Sequence, residues 1–424
     1  MTSSNLLLLI TSGIALQLFI YLSIGFWRKL MDYQAIAPSG EMLNVLEGQD
    51  SFSKLENKIT SGWTGFRTFI VSSKIFEDAA QSICSFYLIS EDGQPLPSFL
   101  PGQFLTFRLD VPTKSGGIKQ IIRCYSLSDA PHPEYYRVSI KRLQQPIGID
   151  VPSGLSSSYF HDHIEVGSHL QVRMPSGNFH IDKINAPVVL IGGGIGVTPM
   201  LSMLNWCLAN QPNREIWLFY GVRNSQELMM QSHLETLANT HSNFHLWICF
   251  SNPLLEDMAK QDYRYHGRVD INLLRTLLPL KPYHFYICGS TPMMESLVPA
   301  LDNWGVPDEN IHFEAFGPAT IKRNKASTTI TAVQTNETVT DIVVNFASSS
   351  KHLQWQSSAN NLLEFAEDNG IVVSSGCRAG ICETCQTTIR SGEVTYHQTP
   401  DFQPELGTCL PCICSPKTNL TLDL

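Results

Sequence analysis

Read for its alternation of apolar and polar positions, the chain changes rhythm several times. Residues 6–27 are a 22-residue run without a charge. As a helix that run would extend about 33 Å and could cross a hydrocarbon core. Residues 30–62 keep no sustained period and hold a Pro-Ser-Gly stretch at 38–40, the pattern of a tether. From residue 63 to 185, short alternating or apolar runs at 69–71, 104–109, 136–140 and 169–173 are punctuated by Gly and Pro, which predicts an antiparallel β-barrel or sandwich. From 186 to 318 the apolar strands VVLI (188–191), IWLFY (216–220), FHLWICF (244–250) and HFYIC (284–288) alternate with helical stretches, which predicts an α/β domain with a parallel sheet. A linker at 319–328 leads to a third unit, 329–424. Its expected strands lie at about 329–333, 339–346 and 352–355, before a helix at about 359–369 capped by Ser358 and stopped by Gly370. The chain is therefore expected to be multidomain.

Composition narrows the chemistry. With 43% apolar and 16% charged residues the chain is globular, and a net charge of -9 speaks against nonspecific nucleic-acid binding, which needs a basic face. From residue 331 onward, four basic residues stand against ten acidic ones, a net of -6, so most of the charge lies in the third unit. Six of the 11 cysteines follow residue 376 and the other five are single and scattered. That is no disulfide framework but fits a reducing compartment with one metal-holding cluster. The first charges after the apolar run are Arg28 and Lys29, with none before it. An uncleaved single-pass anchor, residues 1–29, with everything downstream on the cytoplasmic side, is the expectation from the positive-inside rule.

Three segments carry chemistry. Cys377, Cys382 and Cys385 stand as C-x4-C-x2-C in SSGCRAGICETC, with further cysteines in GTCLPCICSPKTN. This is the plant-type spacing for a 2Fe-2S cluster, in which closely spaced thiolates wrap the cluster and a distant one closes the cage. Zinc is the competing reading, because Cys382-x2-Cys385 and Cys409-x2-Cys412 form paired CxxC motifs, but it leaves Cys377 unexplained. VVLIGGGIGVTPM (188–200) reads as a strand, a Gly-rich turn and a helix beginning near Pro199, a place where backbone N–H groups and the positive helix end face a pyrophosphate. RCYSLSDAP (123–131) combines an arginine, an aromatic ring and a hydroxyl on one strand.

Residues 329–424 resemble the plant-type ferredoxin family, which implies an α+β β-grasp fold. In that family the fourth ligand lies four residues before a proline, so Pro416 selects Cys412, and Cys409 and Cys414 become neighbouring thiols. Residues 63–318 resemble the ferredoxin-NADP reductase superfamily and closely match the reductase module of flavohaemoglobins. This implies an FAD-binding barrel followed by an NAD(P)-binding α/β domain. By this resemblance Arg123 pairs with the flavin pyrophosphate, Tyr125 packs on the isoalloxazine and Ser126 hydrogen-bonds near N5. Two flanking segments, PGQF (101–104) and GLSSSYFHD (154–162), stand in the family's places, and Ser157 matches its phosphate-contacting hydroxyl. The two phosphate contacts favour FAD over FMN. Gly194, Gly196 and Thr198 match the nicotinamide-nucleotide turn. CGSTPMM (288–294) places Cys288 beside the nicotinamide C4, followed by Gly289, and HFEAFGP places Glu314 and Phe316 at the flavin edge.

NADPH-specific relatives carry an arginine where this chain has Asn252, so NADH is favoured, with Arg223 the nearby cation that would admit NADPH. His161 and His163 are expected on the barrel surface, and no haem is assigned. The expected activity is NAD(P)H:acceptor oxidoreduction, in which electrons pass from NADH to FAD to 2Fe-2S and on to a redox protein. The anchor suggests a membrane-associated acceptor such as an oxygenase, desaturase or cytochrome, and the acidic third unit suggests a basic docking face on it. Two rivals are reduction of a soluble quinone-type molecule, and a non-catalytic membrane adaptor that presents the ferredoxin surface.

Overall fold

The computed structural model describes residues 62–144, 154–260, 263–315 and 342–424, apart from breaks at 64, 114–115, 183, 357–358, 360, 374, 376–379, 381–384, 398–399 and 401–403. The expected anchor and most of the tether, the linker at 319–328 and the strand at 329–333 lie outside the described residues, as do Phe316, Cys377 and Cys382. Among the described residues no helix is long and apolar enough to cross a membrane.

Runs rich in β-branched and aromatic residues form β1 (Arg67–Phe76), β2 (Ile83–Ser90), β3 (Phe104–Pro112), β4 (Ile118–Ser126) and β5 (Tyr136–Lys141), then helix α1 (Leu155–His163) and β6 (His169–Ser176). The antiparallel order is β4-β3-β6-β1-β2-β5. A bridge between Leu127 and Val138 joins its two ends, so the sheet closes into a barrel. Phe69, Phe86, Leu105, Phe107 and Val138 fill it. Helix α1 plugs one mouth with Phe160, whose ring meets Phe86 and Phe107 edge-on at 5.2 and 5.4 Å. On that helix His161 is buried rather than surface-exposed, because its Nε2 lies 2.8 Å from the Ile140 carbonyl.

The second unit runs β7 (Val188–Gly193), α2 (Val197–Asn210), β8 (Ile216–Val222), α3 (Gln231–Thr240), β9 (Phe244–Phe250), α4 (Leu255–Lys260), β10 (Tyr265–His266), α5 (Ile271–Leu277), β11 (His284–Gly289), α6 (Thr291–Trp304) and β12 (Ile311–Ala315). All its strands are parallel, in the order β10-β9-β8-β7-β11-β12. Near-continuous apolar strands are what a sheet covered on both faces requires, and the two faces bury separate cores around Leu218 and Phe219. Strand order reverses between β7 and β11, the switch point where open α/β sheets bind ligands beyond their carboxyl ends. Helix α2 begins two residues before Pro199, which leaves that proline in the first turn, where its missing N–H breaks no helical bond.

The third unit holds β13 (Val343–Phe346), β14 (Lys351–Gln354), α7 (Leu362–Asp368), β15 (Thr387–Ser391), β16 (Val394–Tyr396), β17 (Thr408–Cys409), β18 (Cys414–Pro416) and β19 (Leu420–Leu422). A mixed sheet, β14-β13-β19-β15-β17, packs against α7, which buries Leu362, Leu363, Phe365 and Ala366. The helix is capped by Asn361 rather than Ser358. The Asn361 carboxamide oxygen accepts the Glu364 N–H at 2.9 Å, directly ahead of the apolar pair that starts the buried face.

Candidate functional site

Strand β7 ends in a glycine-rich turn at the switch point. Gly194 sits at φ +55°, in the left-handed region that favours glycine, and the chain then makes one tight turn, Gly194–Gly196, into α2. Thr198 is buried and donates from Oγ1 to the Ile195 carbonyl at 3.0 Å, so its hydroxyl holds the turn. The turn presses against the end of β11: a Cβ on Gly196 would stand 2.3 Å from the Cys288 carbonyl oxygen. One on Gly289 would stand 2.7 Å from Met293 Sδ and 3.3 Å from Gly193 Cα. Only hydrogen fits at Gly196, whose neighbours are main-chain atoms, and no side chain caps the head of α2, which leaves that positive helix end open to an anion.

Cys288 is the last-but-one residue of β11 and lies beside Glu314 of β12 in parallel register. Its thiol is fully buried, and burial, helped by the charge of Glu314, pushes its pKa well above the ordinary value. It is therefore a neutral, compact group rather than a thiolate nucleophile. Burial likewise pushes the Glu314 carboxyl up to about 8, with a hydrogen bond from Ser126 pulling the other way. The second carboxyl oxygen, Oε2, is buried without a partner. A protonated acid with one oxygen held and one unspent is poised to meet a polar edge of a bound group.

Ser126 belongs to the barrel, at the end of β4, so this meeting joins the first two units. Arg123, Tyr125 and Ser126 stand opposite Phe107, Leu105 and Phe104 of β3. The Arg123 side chain is exposed, with Nη1 donating to the Ile122 carbonyl at 2.7 Å. Tyr125 packs edge-on against Phe107 and Phe160 at 5.8 and 5.2 Å. Its hydroxyl hydrogen-bonds Ser156 Oγ at 2.7 Å, and burial raises the phenol to about 12. Ser157 is buried: its Oγ accepts the Leu143 N–H at 3.1 Å and donates to the Gly154 carbonyl at 3.2 Å, fixing the start of α1. The serine whose hydroxyl meets Tyr125 is Ser156, one position earlier, and the SSSY run alone does not tell which serine takes which partner.

Asp129, a residue of the RCYSLSDAP segment to which the sequence motifs give no role, ties the two units together. Its backbone oxygen accepts from Ser202 Oγ at 2.7 Å and its Oδ1 from Asn205 Nδ2 at 2.8 Å, both on α2, while Oδ2 pairs with the buried Arg137 at 3.2 Å.

In the third unit Cys385 and Cys412 are buried with their sulfurs 3.2 Å apart. That is too long for a disulfide of about 2.05 Å, and two facing thiolates would repel unless a metal neutralised them, so the pair suits shared iron ligation. Cys409 and Cys414 are also buried and hydrogen-bond one another.

A family described as oxidoreductase NAD-binding domain matches residues 190–298, and one described as 2Fe-2S iron-sulfur cluster binding domain matches 346–417. The flavohemoprotein of Bacillus thuringiensis subsp. konkukian (strain 97-27) is 39% identical over 288 residues, 66% of this chain and 69% of the relative. The flavohem-like FAD/NAD-binding domain of a nitric oxide dioxygenase from Vibrio cholerae O1 biovar El Tor is 30% identical with a TM-score of 0.52, covering 60% of this chain and 100% of that one. An intact type IV self-sufficient cytochrome P450 monooxygenase, 22% identical with a TM-score of 0.53, shares the fold alone, over 85% of this chain and 41% of its own.

Proposed function

The chain belongs to the ferredoxin-NADP reductase superfamily, as a flavohemoprotein-type reductase module joined to a 2Fe-2S domain, and from that premise we propose that it is a membrane-anchored NADH-dependent reductase of a protein acceptor. It is an NAD(P)H oxidoreductase that uses FAD, NAD(H) and a 2Fe-2S cluster. The proposal adds the coenzyme preference, the anchor, the acceptor class and the roles of individual residues. Its units are the anchor 1–29, the tether 30–62, the FAD barrel 63–185, the nucleotide domain 186–318, the linker 319–328 and the ferredoxin domain 329–424.

When bound, FAD supplies the exchange of a hydride for single electrons, which the cluster carries one at a time. The protein's own part is placement. The turn Gly194–Gly196 and the first N–H groups of α2 hold a pyrophosphate, with Gly196 and Gly289 keeping the two strand ends in contact. Cys288 offers a small neutral wall, and Glu314 holds a proton against Ser126 at neutral pH. Tyr125 presents a ring anchored through Ser156, and Arg123 and the head of α1 answer the flavin's phosphates. Cys385 and Cys412, together with Cys377 and Cys382, hold the cluster.

The single observation that carries the reading is the joining of Ser126 from the barrel to Glu314 and Cys288 from the parallel sheet. A mere adaptor would not need such a junction. NADH is preferred because Arg223, at the end of β8, is ion-paired with Glu227, which also takes Lys141 Nζ at 2.8 Å. The neighbouring Asn252, whose N–H bonds the Arg223 carbonyl at 2.8 Å, brings no second cation for a 2'-phosphate. The anchor is the uncharged run at 6–27, and an acceptor beside the same membrane follows from it.

The test is anaerobic addition of NADH to the cofactor-loaded protein. Both flavin and cluster absorbance should bleach, and a protein that stays oxidised sinks the enzyme reading. If Cys385→Ser abolishes cluster reduction but leaves reduction of the physiological acceptor intact, the small-molecule reductase replaces it.

A further inference from the structure

Behind the Cys288 and Glu314 pair, on the same sheet face, a second group of ligating side chains converges. His284 lies four residues before Cys288 on β11 and His312 two residues before Glu314 on β12. Asp182, in the segment that joins barrel to sheet, completes the group. One donor atom from each, an imidazole nitrogen or a carboxylate oxygen, lies within 4.8 Å of the other two.

One ring has an unspent nitrogen: His312 Nε2 is buried with no hydrogen-bond partner. His284 Nδ1 faces Asp182 Oδ2 at 2.5 Å, which already draws that ring and the carboxylate together. Leaving the buried His312 nitrogen unsatisfied is costly, and a cation shared with His284 and Asp182 would satisfy it.

The surroundings already orient these groups. Arg214, wholly buried, donates to Asp182 Oδ1 at 3.0 Å, and the Ile184 N–H joins it there at 3.1 Å. The Tyr286 hydroxyl donates to Oδ2 at 3.1 Å, while its ring stacks on His312 at 4.5 Å and 13°. Such partners fix ligand orientation at metal sites. His180 is the further titratable neighbour, and its Nδ1 lies 3.1 Å from the Ile181 carbonyl. Arg214 is the opposing charge, and because it engages Oδ1 it leaves Oδ2 facing the imidazoles. The side chains of Asp182 and His284 are 16% and 12% exposed, so an ion has a path in.

We propose that Asp182, His284 and His312 bind a divalent transition-metal ion of the zinc class, separate from the iron-sulfur cluster. Two imidazoles and one carboxylate suit zinc and its neighbours, with water in the fourth position. The ion pins the segment between barrel and sheet to the β11–β12 edge, directly behind the hydride site.

The experiment uses the full chain loaded with FAD and iron, passed over a chelating resin and dialysed against micromolar zinc sulfate. Wild type should retain about one more zinc per chain than the double variant His284→Gln/His312→Gln, whose affinity should fall about tenfold or more. Zinc should raise the melting temperature of wild type and not that of the double variant, with flavin and iron content reporting that both are folded. Equal zinc retention, or a wild-type melting temperature that zinc does not move, overturns the site. Should the double variant fail to hold flavin, modification by diethyl pyrocarbonate decides the matter in wild type. Zinc should shield His284 and His312 in peptide maps, and no shielding overturns the proposal.

Discussion

Replacing Gly196 by alanine isolates the contact between the nucleotide turn and the end of β11. The backbone there has φ -62° and ψ -4°, ordinary for alanine, so no dihedral strain enters. The new Cβ would lie 2.3 Å from the Cys288 oxygen, 2.5 Å from its carbonyl carbon and 2.8 Å from the Gly289 nitrogen, all main-chain atoms. Relief to an ordinary contact of about 3.5 Å asks the turn to withdraw by roughly 1 Å. Neither side yields by rotating a side chain, so the stability cost should fall at the upper end of the overpacking range, about 3 kcal/mol. The kinetic effect follows from geometry: a misplacement of about 1 Å at the reacting groups can cost about 100-fold. Anaerobic stopped-flow reduction of the flavin by NADH should therefore slow by about 10-fold to 100-fold, while chemical reduction of the cluster by dithionite stays normal. Gly117→Ala is the control, since its Cβ meets nothing closer than Thr113 Oγ1 at 3.4 Å. A Gly196→Ala protein that reduces its flavin within about twofold of wild type would refute the claim that this contact sets the hydride geometry.

Three further outcomes are expected. Cys385→Ser and Cys412→Ser should each lose the cluster's visible absorbance while FAD content and NADH oxidation by a dye persist; loss on Cys414→Ser but not on Cys412→Ser would move the fourth ligand. Glu314, with a native pKa of about 8 above the ordinary 4.5, holds a proton that the unfolded chain releases. Its contribution is thus full below pH 4.5 and is lost as pH rises through 8, so melting curves of the flavin-free protein should show Glu314→Gln gaining on wild type toward alkaline pH, by up to a few kcal/mol. Glu227→Gln should free Arg223 and raise the NADPH-to-NADH ratio of kcat/KM by roughly threefold to tenfold; an unchanged ratio removes Arg223 from coenzyme choice.

The change from short punctuated strands to long apolar ones marks barrel and parallel sheet in the sequence, because a closed antiparallel barrel and a doubly covered sheet demand different patterns. The strand-end glycines are legible for a similar reason: close backbone approach admits few residue types, so their positions stand out, whereas Cys288 is singled out by resemblance alone. Side-chain direction at the head of α1 does not. Ser156 and Ser157 have the same chemistry, and only the path of the chain from Leu143 decides that Ser157 serves the backbone while Ser156 holds Tyr125. Strand β2 is hidden because residues 83–86 are buried on both faces and show no alternation. The ties of Asp129 to α2 and the Asp182, His284 and His312 group are invisible to motif reading, because Asp129 meets Ser202 and Asn205, and Asp182 meets the two histidines, across some 70 to 130 residues that only tertiary packing spans.

The raised pKa of Glu314 makes it a reporter of docking between the first two units, if the barrel helps to bury it. Its hydrogen bond comes from Ser126, across the junction, so the barrel supplies part of its surroundings, and the expectation is that it supplies much of the burial as well. The junction is held by polar contacts: Ser202 and Asn205 to Asp129, Lys141 to Glu227, and the Ala80 N–H to the Gln226 carbonyl at 3.0 Å. Removing two of them in Ser202→Ala/Asn205→Ala should cost about 1–3 kcal/mol of docking, at the usual net worth of a hydrogen bond. Arg137 keeps its carboxylate in that variant, so the barrel itself is spared. As the junction opens, water reaches Glu314 and its pKa falls back toward the ordinary carboxyl range. The stability gap between Glu314→Gln and its parent at alkaline pH should then be smaller in this background than in wild type. An undiminished gap would mean that the sheet alone buries Glu314, and that the barrel contributes a hydrogen bond without contributing the environment.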